Sequence, residues 1–241
     1  MAVPKRVKQY EGRYALVDGI PYQMPVSAKN SPALMAGFSC DWEKANALLP
    51  GNEIHALKLP NGRGALLITV INYLETSIGK YIEYSIAIGC TRGSKPAPPI
   101  LNALMMKTYG TGQYILDLPV SSEISVKGGK GIWGMPKHKA NLSFEVTDTM
   151  VTSHYEKDGQ FAFRIEMTRP KSASIKINIG ATNYCRFRKH AHGLLYLFQI
   201  QGRSKPFQQS QSKPLHWRSP KSLLPSGYRY QSRSVFHLFH A

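Results

Sequence analysis

The sequence predicts an α+β fold, mainly antiparallel β, closed into a barrel or packed as a sandwich with a few flanking helices. Three observations carry this. Short runs rich in β-branched and aromatic residues recur between residues 54 and 167, separated by turn signals such as Pro60-Asn61-Gly62 and Asp158-Gly159. Helical spacing of apolar residues shows in only two places. With 241 residues, of which 42% are hydrophobic, the chain can bury a real core.

Taken in order, residues 1–9 read as a loose basic arm. Gly12 to Met24 reads as a hairpin or edge strand broken by Asp18-Gly19. Leu34 to Phe38 reads as a strand. Asp41 caps a helix in which Trp42, Ala45, Leu48 and Leu49 recur at helical spacing, and Pro50-Gly51 ends it. Strands are expected over 54–59, 65–74 and 81–89. On the last of these Glu83 shares a face with Tyr81 and Ser85, because side chains alternate along a strand. Leu101, Leu104 and Met105 suggest a short helix over 100–109. Further strands are expected over 114–120, 123–127, 140–146, 151–155 and 161–167, the second of them running into a glycine-rich bend.

The net charge of +17 invites a nucleic-acid or anionic-membrane partner, but its distribution argues otherwise. Residues 1–166 hold 18 Lys+Arg and all 14 acids, a balance of only +4; residues 167–241 hold 13 Lys+Arg and no acid. The chain therefore divides into a β-rich domain, 1–184, and an atypical basic tail, 185–241, rich in Ser, Gln, Arg, His and Pro. Two origins fit such a tail. Either the reading frame slips near residues 180–190, or the tail is a basic segment that binds nucleic acid, with Tyr184, Tyr196, Tyr228 and Tyr230 available for stacking. Translating the encoding DNA in its other two frames separates them. No recognisable nucleic-acid module frames the tail, so nucleic acid is not the expected partner.

The three cysteines, Cys40, Cys90 and Cys185, do not form a disulfide pattern. The first ten residues lack the apolar stretch of a signal peptide, and the longest apolar run, Ala65 to Leu74, is too short to span a bilayer. A cytoplasmic protein with no membrane partner is expected. Cys185, His190 and His192 lack a convincing fourth ligand, so no metal is assigned. The glycines at 128–134 lack nucleotide-loop spacing.

Those glycines (Gly128, Gly129, Gly131 and Gly134) precede Trp133, Met135, Pro136 and Lys137. Pro136 fixes φ before the lysine and pushes Met135 into an extended conformation. The pattern reads as a stiff bend that presents Lys137 from an apolar collar of Trp133 and Met135. By itself Pro-Lys is more often a turn with a solvated lysine. A lysine kept from water, however, loses stabilisation of its charge, and its neutral amine can form a Schiff base with a ketone.

Trp133-Gly134-Met135-Pro136-Lys137 with Ala140 resembles the central motif of the acetoacetate decarboxylase family. Asp41 to Pro50 is similar to that family's early helix, and Tyr81-Ile82-Glu83 to the segment with its active-site glutamate. The resemblance spans about residues 10–180. It implies a β-barrel with flanking helices, a homo-oligomer, and decarboxylation of a β-keto acid with Lys137 as Schiff-base nucleophile. Glu83 would orient substrate or move protons. No cofactor is implied, since the lysine supplies the electron sink. Retro-aldol or dehydration chemistry on a keto acid would use the same lysine. A catalytically dead binder of a small carboxylate is the reading from another class.

The chain departs from the family at two places. Classical members carry a second lysine after the first, and here that residue is His138, a pH-dependent cation. They also carry an N-terminal arginine for the substrate carboxylate, where the nearest cation here is Lys29, which lacks the bidentate fork. The two differences leave the particular keto acid open.

Overall fold

The computed structural model describes residues 11–169, 174–187, 190–203 and 234–240. Strands β1 (Arg13–Val17) and β2 (Ile20–Met24) form an antiparallel hairpin. Its two turn residues, Asp18 and Gly19, both take positive φ (49° and 76°), the twist-matched geometry that Asp-Gly favours. After β3 (Ala28–Lys29) and β4 (Ala33–Cys40), helix α1 (Trp42–Ala47) starts at Asp41. The Asp41 carboxylate accepts the Lys44 amide at 2.9 Å, as an N-cap should.

The middle of the chain supplies β5 (Ile54–Ala56), β6 (Gly64–Tyr73), β7 (Glu75–Thr76), β8 (Tyr81–Arg92), the short α2 (Leu101–Leu104) and β9 (Gly112–Val120). Then come α3 (Glu123–Trp133), β10 (Lys137–Lys139), β11 (Asn141–Leu142), β12 (Glu145–Val146), β13 (Met150–Lys157) and β14 (Gln160–Thr168). The last strands are β15 (Ser174–Phe187), β16 (His190–Arg203) and β17 (Ser234–His240). The boundary expected at 184/185 falls inside β15.

A nine-stranded sheet runs β10-β9-β15-β16-β17-β4-β6-β8-β5, with an additional pairing of β9 with β8. Most pairs are antiparallel, but β10 and β15 each run parallel to β9. A four-stranded sheet holds β11, β12, β13 and β14. The architecture is α+β, with three helices among the described residues.

The two faces of β8 have different destinies. Tyr84, Ile86 and Ile88 face the main core, which also holds Leu34, Ile68 and Val70 and receives Tyr155, Phe163 and Ile165 from the four-stranded sheet. Within it Tyr84, Tyr155 and Phe163 pack ring against ring at centroid distances of 5.4 to 5.7 Å. Burying a large apolar side chain contributes about 1.5–3 kcal/mol, so this core carries the fold. The odd-numbered face of β8 (Tyr81, Glu83, Ser85, Ala87) is where the site lies. Among the described residues no helix is long and apolar enough to cross a membrane.

Two expectations are corrected. Residues 123–127 are not a strand, and the glycines that follow are not a bend: 123–133 is one helix. The Ser122 hydroxyl caps it by accepting the Ser125 amide at 3.2 Å. Its glycines, poor helix formers, are placed by tertiary contact. A Cβ at Gly128 would stand 2.5 Å from the Tyr22 ring, one at Gly129 2.3 Å from Lys137 Cδ, and one at Gly131 2.5 Å from Val17. The glycines thus let α3 lie directly on the β1–β2 hairpin and on the lysine stem. The strand expected over 54–59 also ends early, at Ala56, where the chain leaves the ladder for the turn at Gly62.

Candidate active site

Helix α3 ends at Gly134, whose left-handed backbone (φ 63°) lets its amide reach back to the Lys130 carbonyl at 3.1 Å. Pro136 then centres a three-residue turn in which the Lys137 amide donates to the Met135 carbonyl at 2.8 Å. That turn delivers Lys137 to the start of β10, opposite Leu118 of β9.

Lys137 is 5% exposed and Glu83 7%. The Lys137 amine donates to Glu83 Oε2 at 2.5 Å and to Ser125 Oγ at 2.9 Å, and it lies 5.5 Å from the centre of the Tyr81 ring. Tyr81 in turn stacks on Tyr73 at 4.5 Å. The amine is therefore held by a carboxylate, a hydroxyl and a ring face, from β8 and α3. Charged groups that leave water need such partners. Two residues beyond Glu83, the buried Ser85 hydroxyl has no hydrogen-bond partner among the described residues. It sits opposite Thr69, on the face that also presents Met35 and Ile71.

The other expected residues are placed as follows. Met135 is buried in a cluster with Ala87, Ile115, Leu118 and Cys185, against which Trp133 packs. This cluster roots the turn that carries the lysine, while the amine itself meets Tyr81 and Ser125. His138, next along β10, turns to the opposite face. Its Nδ1 lies 3.3 Å from Asp117 and its Nε2 3.1 Å from the Tyr155 hydroxyl, which donates to Asp117 at 3.1 Å. Burial pushes the Asp117 carboxyl above the usual carboxylate range, with His138 and the Tyr155 hydroxyl opposing the rise. Burial and the Asp117 charge push the Tyr155 phenol up as well. Lys29 is exposed on β3, which pairs with β7, and makes no ion pair with the Lys137 cluster among the described residues.

Ser125, Asp117 and Tyr155 were not singled out from the sequence. For Ser125 the available signal was Ser122, an N-cap residue type followed at once by the acidic Glu123 of a first turn. The three cysteines are free and buried, and burial pushes Cys40 up to about 11. Among the described residues no group of His, Cys, Asp or Glu converges as a metal site. The side chains of His190 and His192 lie outside the described residues.

Fold and site together define a β-rich α+β domain built round a buried lysine–carboxylate pair. The chain belongs to the acetoacetate decarboxylase (ADC) family, whose model matches residues 9–178. Among solved structures it is similar to acetoacetate decarboxylase from Legionella pneumophila subsp. pneumophila str. Philadelphia 1. That pair shares 13% identity at a TM-score of 0.58, over 94% of this chain and 84% of the other. A second acetoacetate decarboxylase structure gives 13% identity and a TM-score of 0.59, over 90% and 86%. The enduracididine biosynthesis enzyme MppR complexed with pyruvate gives 11% and 0.50, over 87% and 83%. At these identities the likeness is one of fold. A comparison with curated proteins gave no match.

Proposed function

We propose that the protein is a carbon–carbon lyase that decarboxylates a β-keto acid through a Schiff base on Lys137. The observation that carries this is the buried amine of Lys137, 2.5 Å from the Glu83 carboxylate, inside a chain of this family. In the proposed cycle Glu83 takes a proton from the Lys137 ammonium, and the lone pair so freed on the amine attacks the ketone carbon. The carbinolamine loses water to give an iminium. The iminium draws in the electron pair of the bond to the carboxylate, CO₂ leaves, and an enamine remains. Protonation at carbon and hydrolysis release the ketone and the free lysine. The cycle needs no cofactor, since the iminium is the electron sink.

The unpartnered Ser85 hydroxyl is the donor we assign to the substrate. Half-buried Met35 and Ile71 beside it favour a small aliphatic keto acid. We also read the large sheet as the expected barrel. The support is the run of pairings from β9 through β15, β16, β17, β4 and β6 to β8, which pairs again with β9.

The test is borohydride trapping. The protein is incubated with acetoacetate and with larger keto acids, reduced, and mapped by mass. Modification at Lys137, absent in Lys137→Ala, is expected, together with substrate-dependent release of CO₂. Trapping without CO₂ would move the assignment to retro-aldol or dehydration chemistry on the same lysine. A folded protein in which no lysine is trapped would leave only the binding of a small carboxylate.

A further inference from the structure

We infer that Ser125 is a second catalytic residue, carrying a proton from nitrogen to oxygen within the carbinolamine; this rests on the Schiff-base function proposed above. Ser125 is 1% exposed, and its Oγ lies 2.9 Å from the Lys137 nitrogen, the atom that would attack. A hydroxyl donates and accepts at once. Here the amine donates to Oγ, and the hydroxyl's own hydrogen has no acceptor among the described residues. Glu83, the other partner of the amine, is acceptor-only when ionised.

The chemistry needs both groups. Glu83 removes one proton from the ammonium. Attack then forms the N–C bond, moves the carbonyl π pair onto oxygen, and leaves a positive nitrogen with two hydrogens beside a negative oxygen. Direct transfer between them would pass through a strained four-membered ring. Through Ser125 the ring has six members: N, H, Oγ, H, O and C. The nitrogen gives a proton to Oγ as the serine gives its own to the oxygen, so the serine ends unchanged. Glu83 then returns its proton to the new hydroxyl, which leaves as water, and the nitrogen lone pair closes the C=N bond. One hydrogen stays on the iminium nitrogen, and nothing is oxidised or reduced.

The position is built rather than incidental. The Ser125 amide is tied to the Ser122 hydroxyl at the helix start, and α3 bonds Val126 back to Ser122 as well. One helical turn on, Gly129 leaves the space through which the lysine stem reaches the serine. The same helix face therefore guides the lysine and meets its amine.

The experiment compares rates of borohydride trapping of acetoacetate on the full chain for wild type, Ser125→Ala and Ser125→Thr, with the extent of folding followed by circular dichroism. Ser125→Ala is expected to slow trapping at Lys137 by about 10²-fold, and Ser125→Thr, which keeps the hydroxyl, to restore most of it. In mixtures of H₂O and D₂O the wild-type rate should depend on deuterium fraction with the curvature of two protons in flight. That last readout needs no variant to fold, and packing alone would not produce it. Wild-type trapping with Ser125→Ala equally fast, or a linear dependence on deuterium, overturns the role of Ser125 and leaves the Schiff base standing. Failure to trap the wild type at all overturns the function instead.

Discussion

Gly129→Ala separates what holds the fold from what holds the site. In the interior of α3, alanine is favoured over glycine by about 1 kcal/mol on helix propensity. The added Cβ would stand 2.3 Å from Lys137 Cδ and 2.9 Å from both Cγ and Cε. Carbon atoms settle at about 3.5–4.0 Å, so the stem must retreat by at least about 1.2 Å. Starting from 2.5 Å to Glu83 and 2.9 Å to Ser125, such a retreat can open a contact to at most roughly 3.7 or 4.1 Å. A contact stretched that far lies beyond hydrogen-bond range. Misplacement of about 1 Å costs about 10²-fold in rate, whereas the overpacking costs about 1–3 kcal/mol against the propensity gain. The expected result is a folded protein, destabilised by no more than about 2 kcal/mol, in which keto-acid trapping at Lys137 falls about a hundredfold. Urea unfolding and timed borohydride quenching measure the two quantities. Lys130→Ala, on the exposed side of the same helix, should change neither. Full trapping in folded Gly129→Ala would refute the argument that this glycine is the lysine's channel.

Three further outcomes follow from the geometry. Lys137→Met strands a buried carboxylate and should cost about 3–5 kcal/mol by urea unfolding, while Lys137→Met with Glu83→Leu should recover most of that loss. Ser85→Ala removes a buried hydroxyl with no partner, so it should raise stability by about 1 kcal/mol while raising KM, two effects of opposite benefit read from melts and kinetics. Asp117→Asn should alter the pH dependence of stability. Burial raises the folded pKa of Asp117 above its unfolded value, so the folded state holds that proton more tightly. The contribution is fully present below the ordinary carboxylate range and is lost as pH rises through the raised value. The wild type should therefore lose stability relative to Asp117→Asn across that window in urea titrations, and parallel curves would contradict the burial argument.

Much of the fold could be read from local chemistry. Asp18-Gly19 specified a hairpin turn because its geometry needs two positive φ values. Asp41 specified a helix start because a carboxylate there satisfies an amide that no helical carbonyl can reach. The helix over 123–133 was missed for an equally physical reason. Ile124-Ser125-Val126 alternates like a strand, and three glycines within the next five residues lower helix propensity. What makes them helical is their missing side chains, which let Tyr22, Val17 and Lys137 approach the helix backbone. Those partners lie far away in sequence or across a proline turn, and propensity does not register them.

The site was legible to the extent that strand alternation governs it. Glu83 could be placed on a face with Tyr81 and Ser85; Glu83 and Tyr81 meet the Lys137 amine, and the buried Ser85 hydroxyl lies two residues along the same strand. The same period of two explains what the family comparison obscured. On β10, Lys137 and His138 must point to opposite sides of the strand. The residue that follows Lys137 therefore lies on the other face of the strand from the amine; it meets Asp117 and Tyr155 instead. Adjacency in sequence suggests a cation beside the lysine, whereas the contacts of His138 among the described residues are to Asp117 and Tyr155. The groups able to act on Lys137 arrive from β8 and α3, through contacts 54 and 12 residues away in sequence. The helix assignment is thus a condition for seeing the site: with 123–127 drawn as a strand, Ser125 has no reason to meet the lysine, and on the capped helix its hydroxyl lies 2.9 Å from the Lys137 amine.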